Sequence, residues 1–473
     1  MSLSSALSGA LSGLQVASRR AATVSDNVAG AGQPGYGRRT VETTPIAPGI
    51  PGMRSTVVRH EDAVALALHR EAAGAAGGAG VAQAFWSDLD AALGDPDDPA
   101  GLAAALHAME GALVDAAAQP ASAERLRAVA EAVERVAGKI AGTAEAVADR
   151  RQGAEDRIVA EVAQLNEDLE AVAGLNTRIA KLGAGGAATA ALEDQRSVVL
   201  SRISGAVAIE VLPRDFGAVA VISKGGQVLL DGGARPVSFE PAPQVLPHLR
   251  NGAGLNGLEV RGHPAPADGG HGHMGGGRLA ALFALRDGDA VAAQDQLDGL
   301  AGELVARFSD PAAVGPLGAG EGGLFVDREA GAVPPPEPEG LAARLAINPL
   351  VASGDPSGHW RLRDGLGAAA TPDPATPPGL LHGILDAFAA RDPRDVPAMA
   401  ADLKSAWSAQ RGRADGAVAR AGAAAAAAEE RAAASGVDID AEMRRLIEIE
   451  QHYAASARVM SVAGEMMDRL TRI

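Results

Sequence analysis

Two apolar stripes, one at each end of the chain, constrain this sequence most. Leu3, Leu7, Ala10, Leu14, Ala17, Ala21, Val24 and Val28 recur at alternating spacings of four and three. That is the a/d seam of a coiled coil, and it predicts one helix over residues 3–29. A second stripe closes the chain: Ile439, Met443, Leu446, Ile449, Tyr453, Ala457, Met460, Ala463, Met467 and Leu470, predicting a helix over 439–470. Each helix is roughly 40 Å or more long and has one face to bury. Two lone helices make a thin core and are marginal without neighbours. Charge favours their pairing. Residues 1–40 carry Arg19, Arg20, Arg38 and Arg39 against Asp26 alone, and residues 437–473 carry seven acids against five arginines. The expectation is a two-helix end that becomes stable by packing against copies or related subunits. The plainer alternative is that both stripes dock on the chain's own core. A membrane-surface role fits poorly, because the first helix lacks a dense Lys/Arg face and aromatic wedges.

Composition narrows the rest. A length of 473 residues suggests about three domains. Aromatics are 3% and Ala dominates the 47% of hydrophobic residues, which suits closely packed long helices. A formal net charge of −17 speaks against nucleic-acid binding. With 0 cysteines there is no disulfide, thiol nucleophile or Cys-ligated metal. The first residues do not read as a secretory signal, and no apolar run is long enough for a membrane span.

Between the ends the periodicity changes twice. Pro34-Gly35 stops the first helix in a turn with Pro second and Gly third, and residues 40–58 read as extended or irregular. Helices are predicted over 60–71 and 85–93, with a weak point at 74–80, and over 102–118. Ser122 then caps a very long helix that ends at the 183–186 glycine cluster. A short helix follows over 192–203. Strand-like alternation covers 207–212, 219–223, 228–230, 237–240 and 255–260, with a turn at Lys224-Gly225-Gly226. Helices return over 278–308, 379–390 and 399–434. Residues 310–340 are Pro/Gly-rich, with Pro334-Pro335-Pro336 as an extended linker, and 341–373 read as short and irregular. The fold class is therefore mainly α with a β-rich insert, in an elongated, nested, multidomain chain. Its expected parts are a terminal coiled-coil domain (1–56 and 437–473), a helical-bundle layer (57–204, 276–310 and 379–436), a small central β domain (205–275) and an irregular segment (311–378).

The termini resemble the axial proteins of the bacterial flagellum, its rod, hook and hook-associated proteins. The N-terminal resemblance rests on Ala6-Leu7-Ser8-Gly9, Leu11-Ser12-Gly13-Leu14-Gln15, Asn27-Val28-Ala29 and Pro34-Gly35-Tyr36. The C-terminal one rests on Gly436-Val437-Asp438-Ile439-Asp440-Ala441-Glu442-Met443, Gln451-His452-Tyr453, Ala457-Arg458-Val459 and Glu465-Met466-Met467-Asp468. Further features are similar to the hook-associated type. They are Ser456-Ala457-Arg458; Gln119-Pro120 before a helix with Leu165-Asn166 and Leu175-Asn176; Leu192-Glu193-Asp194-Gln195-Arg196; Gly277-Arg278-Leu279 with Leu285-Arg286-Asp287 and Gln296-Leu297; and Ile347-Asn348-Pro349. Where this family has further asparagines, Gly30 and Gly32 stand, and a looser turn is expected there. The insert is short for the family, so a large outer domain is expected to be missing.

The resemblance implies a structural, secreted subunit of the hook–filament junction ring at the distal end of the hook, exported unfolded through the type III channel. Its implied partners are copies of itself, the hook protein, a second junction protein and a cytoplasmic export chaperone at the C-terminal helix, with no nucleic acid and no membrane. The implied assembly interface comprises Leu3, Leu7, Leu11, Leu14, Val24, Asn27, Val28, Pro34, Gly35, Tyr36, Ile439, Met443, Leu446, Gln451, Tyr453, Ala457, Met460, Met467 and Leu470. A rod or hook protein is the alternative of the same class.

No enzyme site, cofactor or metal is expected. His263, His271 and His273 with Asp268 fit no metal-ligand spacing. The G-x-G-x-x-G matches at Gly252/Gly254/Gly257 and Gly318/Gly320/Gly323 lie outside any strand–turn–helix unit, in a chain with 59 glycines. A soluble cell-wall hydrolase, with the β insert catalytic, is the alternative of another class.

Overall fold

The computed structural model describes residues 3–47, 50–183, 185–267, 273–315, 317, 322–329, 339–368, 379–391, 394–434 and 436–471. The chain opens with helix α1 (Leu3–Gly30) and a hairpin of β1 (Arg39–Ala47) and β2 (Ile50–Arg59). Four helices follow: α2 (Ala63–Leu93), α3 (Leu102–Ala118), α4 (Ala123–Leu182) and α5 (Ala187–Ala206). An antiparallel four-stranded sheet then runs in the order β3 (Ile209–Pro213), β4 (Val219–Ser223), β5 (Val228–Asp231), β6 (Gly233–Ala234). Five two-residue strands complete the insert: β7 (Val237–Ser238), β8 (Arg250–Asn251), β9 (Gly254–Leu255), β10 (Glu259–Val260) and β11 (His263–Pro264). Helices α6 (Gly277–Ala284) and α7 (Ala290–Arg307) return the chain to the helical layer. Next come α8 (Pro311–Val314), β12 (Phe325–Asp327), α9 (Leu341–Arg344), β13 (Leu345–Ile347), α10 (Arg361–Asp364) and α11 (Gly379–Ala389). Two long helices, α12 (Val396–Ala434) and α13 (Ile439–Thr471), close it.

Helix α4 is the spine. At 60 residues and 1.5 Å per residue it is about 90 Å long. Ser122 caps it, its Oγ accepting from Arg125 N at 3.4 Å, and Glu124 sits in the first turn beside the positive dipole end. The side facing the insert carries polar groups that substitute for strand partners. Asn166 brackets Val237, donating to its carbonyl and accepting from its N–H, both at 2.8 Å. Asn176 brackets Val219 in the same way, at 2.8 and 3.2 Å. Glu155 accepts from Ala242 N and Gln152 from Val245 N, each at 2.8 Å. Backbone groups left unpaired by such short strands are thus satisfied by the helix.

The two helices predicted over 60–93 are one. Asp62 caps α2, accepting from Val64 N and Ala65 N, and the helix runs through Gly74, Gly77 and Gly78. Tertiary packing overrides the low propensity of glycine there. A Cβ on Gly74 would lie 2.8 Å from Ser204 O, and one on Gly77 3.0 Å from Gly205 O. The glycines let α2 lie directly on the backbone at the end of α5.

The helix predicted over 278–308 contains a π turn, Leu285–Asp289. Ala290 N donates to Leu285 O there, where regular α-helix would use Arg286 O. The freed carbonyl accepts from Arg151 Nε at 2.8 Å. The same turn sets Arg286 against Glu155 at 2.6 Å, both side chains fully buried, and against Asp287 at 2.7 Å. Its guanidinium also lies 4.7 Å from the Phe283 ring centroid. Arg151 donates onward to Leu246 O and Leu249 O at 3.2 and 2.5 Å, and burial pulls its pKa down to about 10. This buried cluster clamps the far end of the insert to the spine.

Helix α12 packs against α2, and Asp90 anchors the pair. Its carboxylate meets Lys404 at 2.9 Å, Ser408 at 2.8 Å and Arg411 at 3.0 Å. Burial pushes Asp90 up, but these three donors outweigh it and hold the carboxyl below its ordinary value. A depressed carboxyl stabilises the fold above its unfolded pKa, and the contribution is lost as pH falls through the lower folded one. Acid is therefore expected to weaken α2–α12 docking, and Asp90→Asn to flatten that acid limb in a urea-midpoint-against-pH series.

Residues expected to be irregular over 341–373 pack in order where described. β13 pairs antiparallel with β12, and buried Asp298 accepts from Gly340 N and Ala342 N at 2.7 and 2.8 Å. Pro334-Pro335-Pro336, and His271 and Asp268 of the histidine-rich loop, lie outside the described residues.

Candidate assembly interface and its polar joint

Helices α1 and α13 pack against each other, and the β1–β2 hairpin lies on α1. The seam of α1 turns Ala10, Ala17 and Val24 inward as buried residues, while Leu7, Leu14 and Val28 are half-buried. Leu11 faces out, 50% exposed. On α13, Leu446, Ile449, Ala457 and Met460 are half-buried and Ala463 is buried. Ile439, Met443, Tyr453 and Met467 of the same predicted stripe are about half exposed, as are Ile447, Val459, Val462 and Met466 outside it. The partner helix covers only one side of a stripe that wide. Gln451 is exposed, and the side chains of Leu3 and Leu470 lie outside the described set.

The hairpin is fastened to α1 by Arg19, which donates to Ser55 O at 2.9 Å and Oγ at 2.7 Å, and by Met53 N donating to Ser12 Oγ at 3.0 Å. A Cβ on Gly13 would lie 3.1 Å from Ser456 Oγ, so small residues mark where the helices cross.

At the base of this unit the two terminal signatures meet in a buried polar joint. Asn27, fully buried, brackets Arg39, donating to its carbonyl and accepting from its N–H, both at 2.9 Å. Its Oδ1 also accepts from the Tyr36 hydroxyl at 3.0 Å, and its Nδ2 donates to Glu442 at 3.2 Å. Glu442 Oε1 accepts from Arg38 Nε at 3.0 Å and also pairs with Arg445. Burial raises the Tyr36 phenol above its ordinary value, so the hydroxyl keeps its proton and donates.

Gln33-Pro34-Gly35-Tyr36 forms the expected turn, with Tyr36 N donating to Gln33 O at 3.2 Å and Gly35 at φ 78°. Pro34 itself is exposed. A Cβ on Gly35 would stand 2.6 Å from Val198 and 2.8 Å from Asp194 O. The expected looseness at Gly30 is not found: a Cβ there would sit 2.4 Å from the Tyr36 ring. Glycine is what lets the tyrosine close over the helix end.

Asp194 of α5 ties the joint to the helical layer. It accepts from Gly37 N at 2.9 Å, Arg39 at 2.6 Å and Arg59 at 2.8 Å. Arg39 and Arg59 are directly opposite in the hairpin register, and Asp194 is the charge that lets them sit together. Both oxygens of Asp194 and of Glu442 are engaged, so the joint is built for fastening.

Asn27, Gly35 and Tyr36 were expected at an intersubunit surface, and the structure brings them together inside the chain. The sequence reading missed Arg39, Arg59, Asp194 and Glu442 as joint members. The paired Arg38-Arg39 after Tyr36 is the one local signal that marks them, since adjacent cations beside a helix end need acids from elsewhere.

Two family models match. One describes the helical domain of flagellar hook-associated protein FlgK and matches residues 86–323. The other describes the C-terminal part of flagellar basal-body rod FlgEFG proteins and matches residues 430–473. The solved structure of the flagellar hook junction protein FlgK from Burkholderia pseudomallei is similar at 21% identity and a TM-score of 0.46, over 55% of this chain and 46% of that one. This chain thus spans about half the length of that relative. No curated protein matches. The two matches, on the helical layer and on the C-terminal helix, mark the chain as a flagellar axial protein. The chain belongs to the FlgK family of hook-associated proteins, whose helical-domain model covers half of it.

Proposed function

We propose that this chain is a structural subunit of the bacterial flagellum and forms the ring joining hook to filament. It acts without catalysis, reaches its site by type III export and is held by a cytoplasmic chaperone at α13 before that. Its partners in place are further copies, the hook protein and a second junction protein. The domain division set out from the sequence belongs to the same proposal: a terminal unit for assembly, a helical layer for stiffness and a small outer insert.

The carrying observation is that α1 and α13 pair yet leave Leu11, Ile447, Tyr453, Val459, Met466 and Met467 about half exposed. Burying such a side chain fully is worth roughly 1.5–3 kcal/mol, so neighbouring subunits that cover this face gain much. The joint supports the reading, because it sets the angle at which that face is presented. Among the described residues no helix is long and apolar enough to cross a membrane.

In a strain lacking the gene, the full chain is expected to restore filaments. The chain without residues 1–40 and 437–473 is expected to fold as a soluble monomer and leave hooks bare, with flagellin shed into the medium. Filaments on the truncated chain would overturn the assembly role of the ends.

A further inference from the structure

The β3–β4 hairpin closes on Asp215-Phe216-Gly217-Ala218, with Ala218 N donating to Asp215 O at 3.2 Å. Phe216 has φ 57° and ψ 27°, and Gly217 has φ 77°. Left-handed backbone at both central positions is a type I′ turn, which favours Asn-Gly or Asp-Gly. A phenylalanine at the first of them is strained. It is also 75% exposed, whereas the other six of the 7 phenylalanines are buried or half-buried. Arg261 takes the same left-handed conformation, φ 54°, between β10 and β11, but its charge belongs in water. The turn is held firmly: Arg196 donates to Gly217 O at 2.7 Å, and Arg214 pairs with Asp231 at 3.0 Å. An aromatic ring is thus fixed in solvent at the expense of turn geometry, and such strain points to use.

The same chain carries an apolar cavity of ≈490 Å³ elsewhere, between the end of α2 and the starts of α3 and α12. Leu93, Leu102 and Leu106 are buried around it, and Pro96 and Pro397 also line it. The ring and this cavity are far apart within one chain. The turn lies against Ile179 of α4. The end of α2 approaches Arg150, which pairs with Asp88 at 2.9 Å. The α4 residues between them span about 40 Å.

We propose that Phe216 of one copy seats in the Leu93–Leu102–Leu106 cavity of a neighbouring copy, a heterologous contact that staggers adjacent subunits along α4. The charges agree: Arg214 and Asp215 flank the ring, while Asp395 and Lys404 line the cavity. The proposal rests on the axial-subunit reading above.

Because the chain has no cysteine, a full-length Phe216→Cys/Ala103→Cys variant tests the contact in the deletion strain. Oxidised hook preparations are expected to yield disulfide-linked copies, absent from either single variant. Phe216→Asn, which suits the turn better, is expected to keep the Tm of the purified chain and lose motility. Assembled flagella without cross-linked copies, or wild-type swimming by Phe216→Asn, would overturn the contact. Lost motility with no cross-link also overturns it, by placing Phe216 against a different protein. Failure of the wild-type chain to restore filaments would instead overturn the junction reading.

Discussion

Arg286→Met is expected to lower the unfolding free energy of the helical layer by about 3–5 kcal/mol, the cost of breaking a buried ion pair from one side. Glu155 and Arg286 are both fully buried, 2.6 Å apart. Removing the cation strands the carboxylate, which keeps only Ala242 N as a donor on its other oxygen. Asp287 loses its bidentate partner as well. The urea midpoint should shift with little change in slope. A second substitution, Glu155→Gln, should recover part of the loss, because it removes the orphaned charge. If Arg286→Met alone left the midpoint unchanged, the cluster would not clamp the insert.

Asp194→Ala has the largest expected effect on the ends. It removes one acceptor from three donors and leaves Arg39 and Arg59 facing each other across the hairpin. Glu61 still pairs with Arg59, while Arg39 keeps only the longer contact to Asp26 at 3.8 Å. The expected local loss is about 2–4 kcal/mol, from a largely buried cation left with a weaker, partly exposed partner and a like-charge cross-strand pair. Hydrogen exchange should separate it from a general destabilisation: amides over 37–59 speed up while those of α4 stay protected. The variant should also fail to build filaments, since the terminal unit no longer keeps its angle to the layer. Unchanged exchange over 37–59 would remove Asp194 from the joint.

Most of the helices were legible because their signals are local. The alternating spacing from Leu3 to Val28, the Ser122 cap and the glycine cluster at 183–186 each act within a few residues, and α1 and α4 start and stop where those signals lie. The Val219–Ser223 and Val228–Asp231 strands and the turn between them were legible for the same reason. Where local and long-range preferences conflict, the reading failed. Gly74, Gly77 and Gly78 look like a break until the backbones of α5 and α6 lie against them. The π turn at Leu285–Asp289 has no local signature, and the carbonyl it frees is taken by Arg151, more than a hundred residues away.

The polar joint shows the same division. By itself the sequence determined that both ends are helical, that each carries an apolar stripe and that the basic end and the acidic end belong together. Periodicity and net charge are properties of a segment, and they need no partner to be read. Only the tertiary structure decided which side of each stripe stays open, and that Asn27 and Tyr36 fasten the chain to itself. Burial and hydrogen bonding depend on which groups are brought into contact. Here the contacts join Asn27 and Arg38 to Glu442 across most of the length of the chain, and Arg39 to Asp194 on α5.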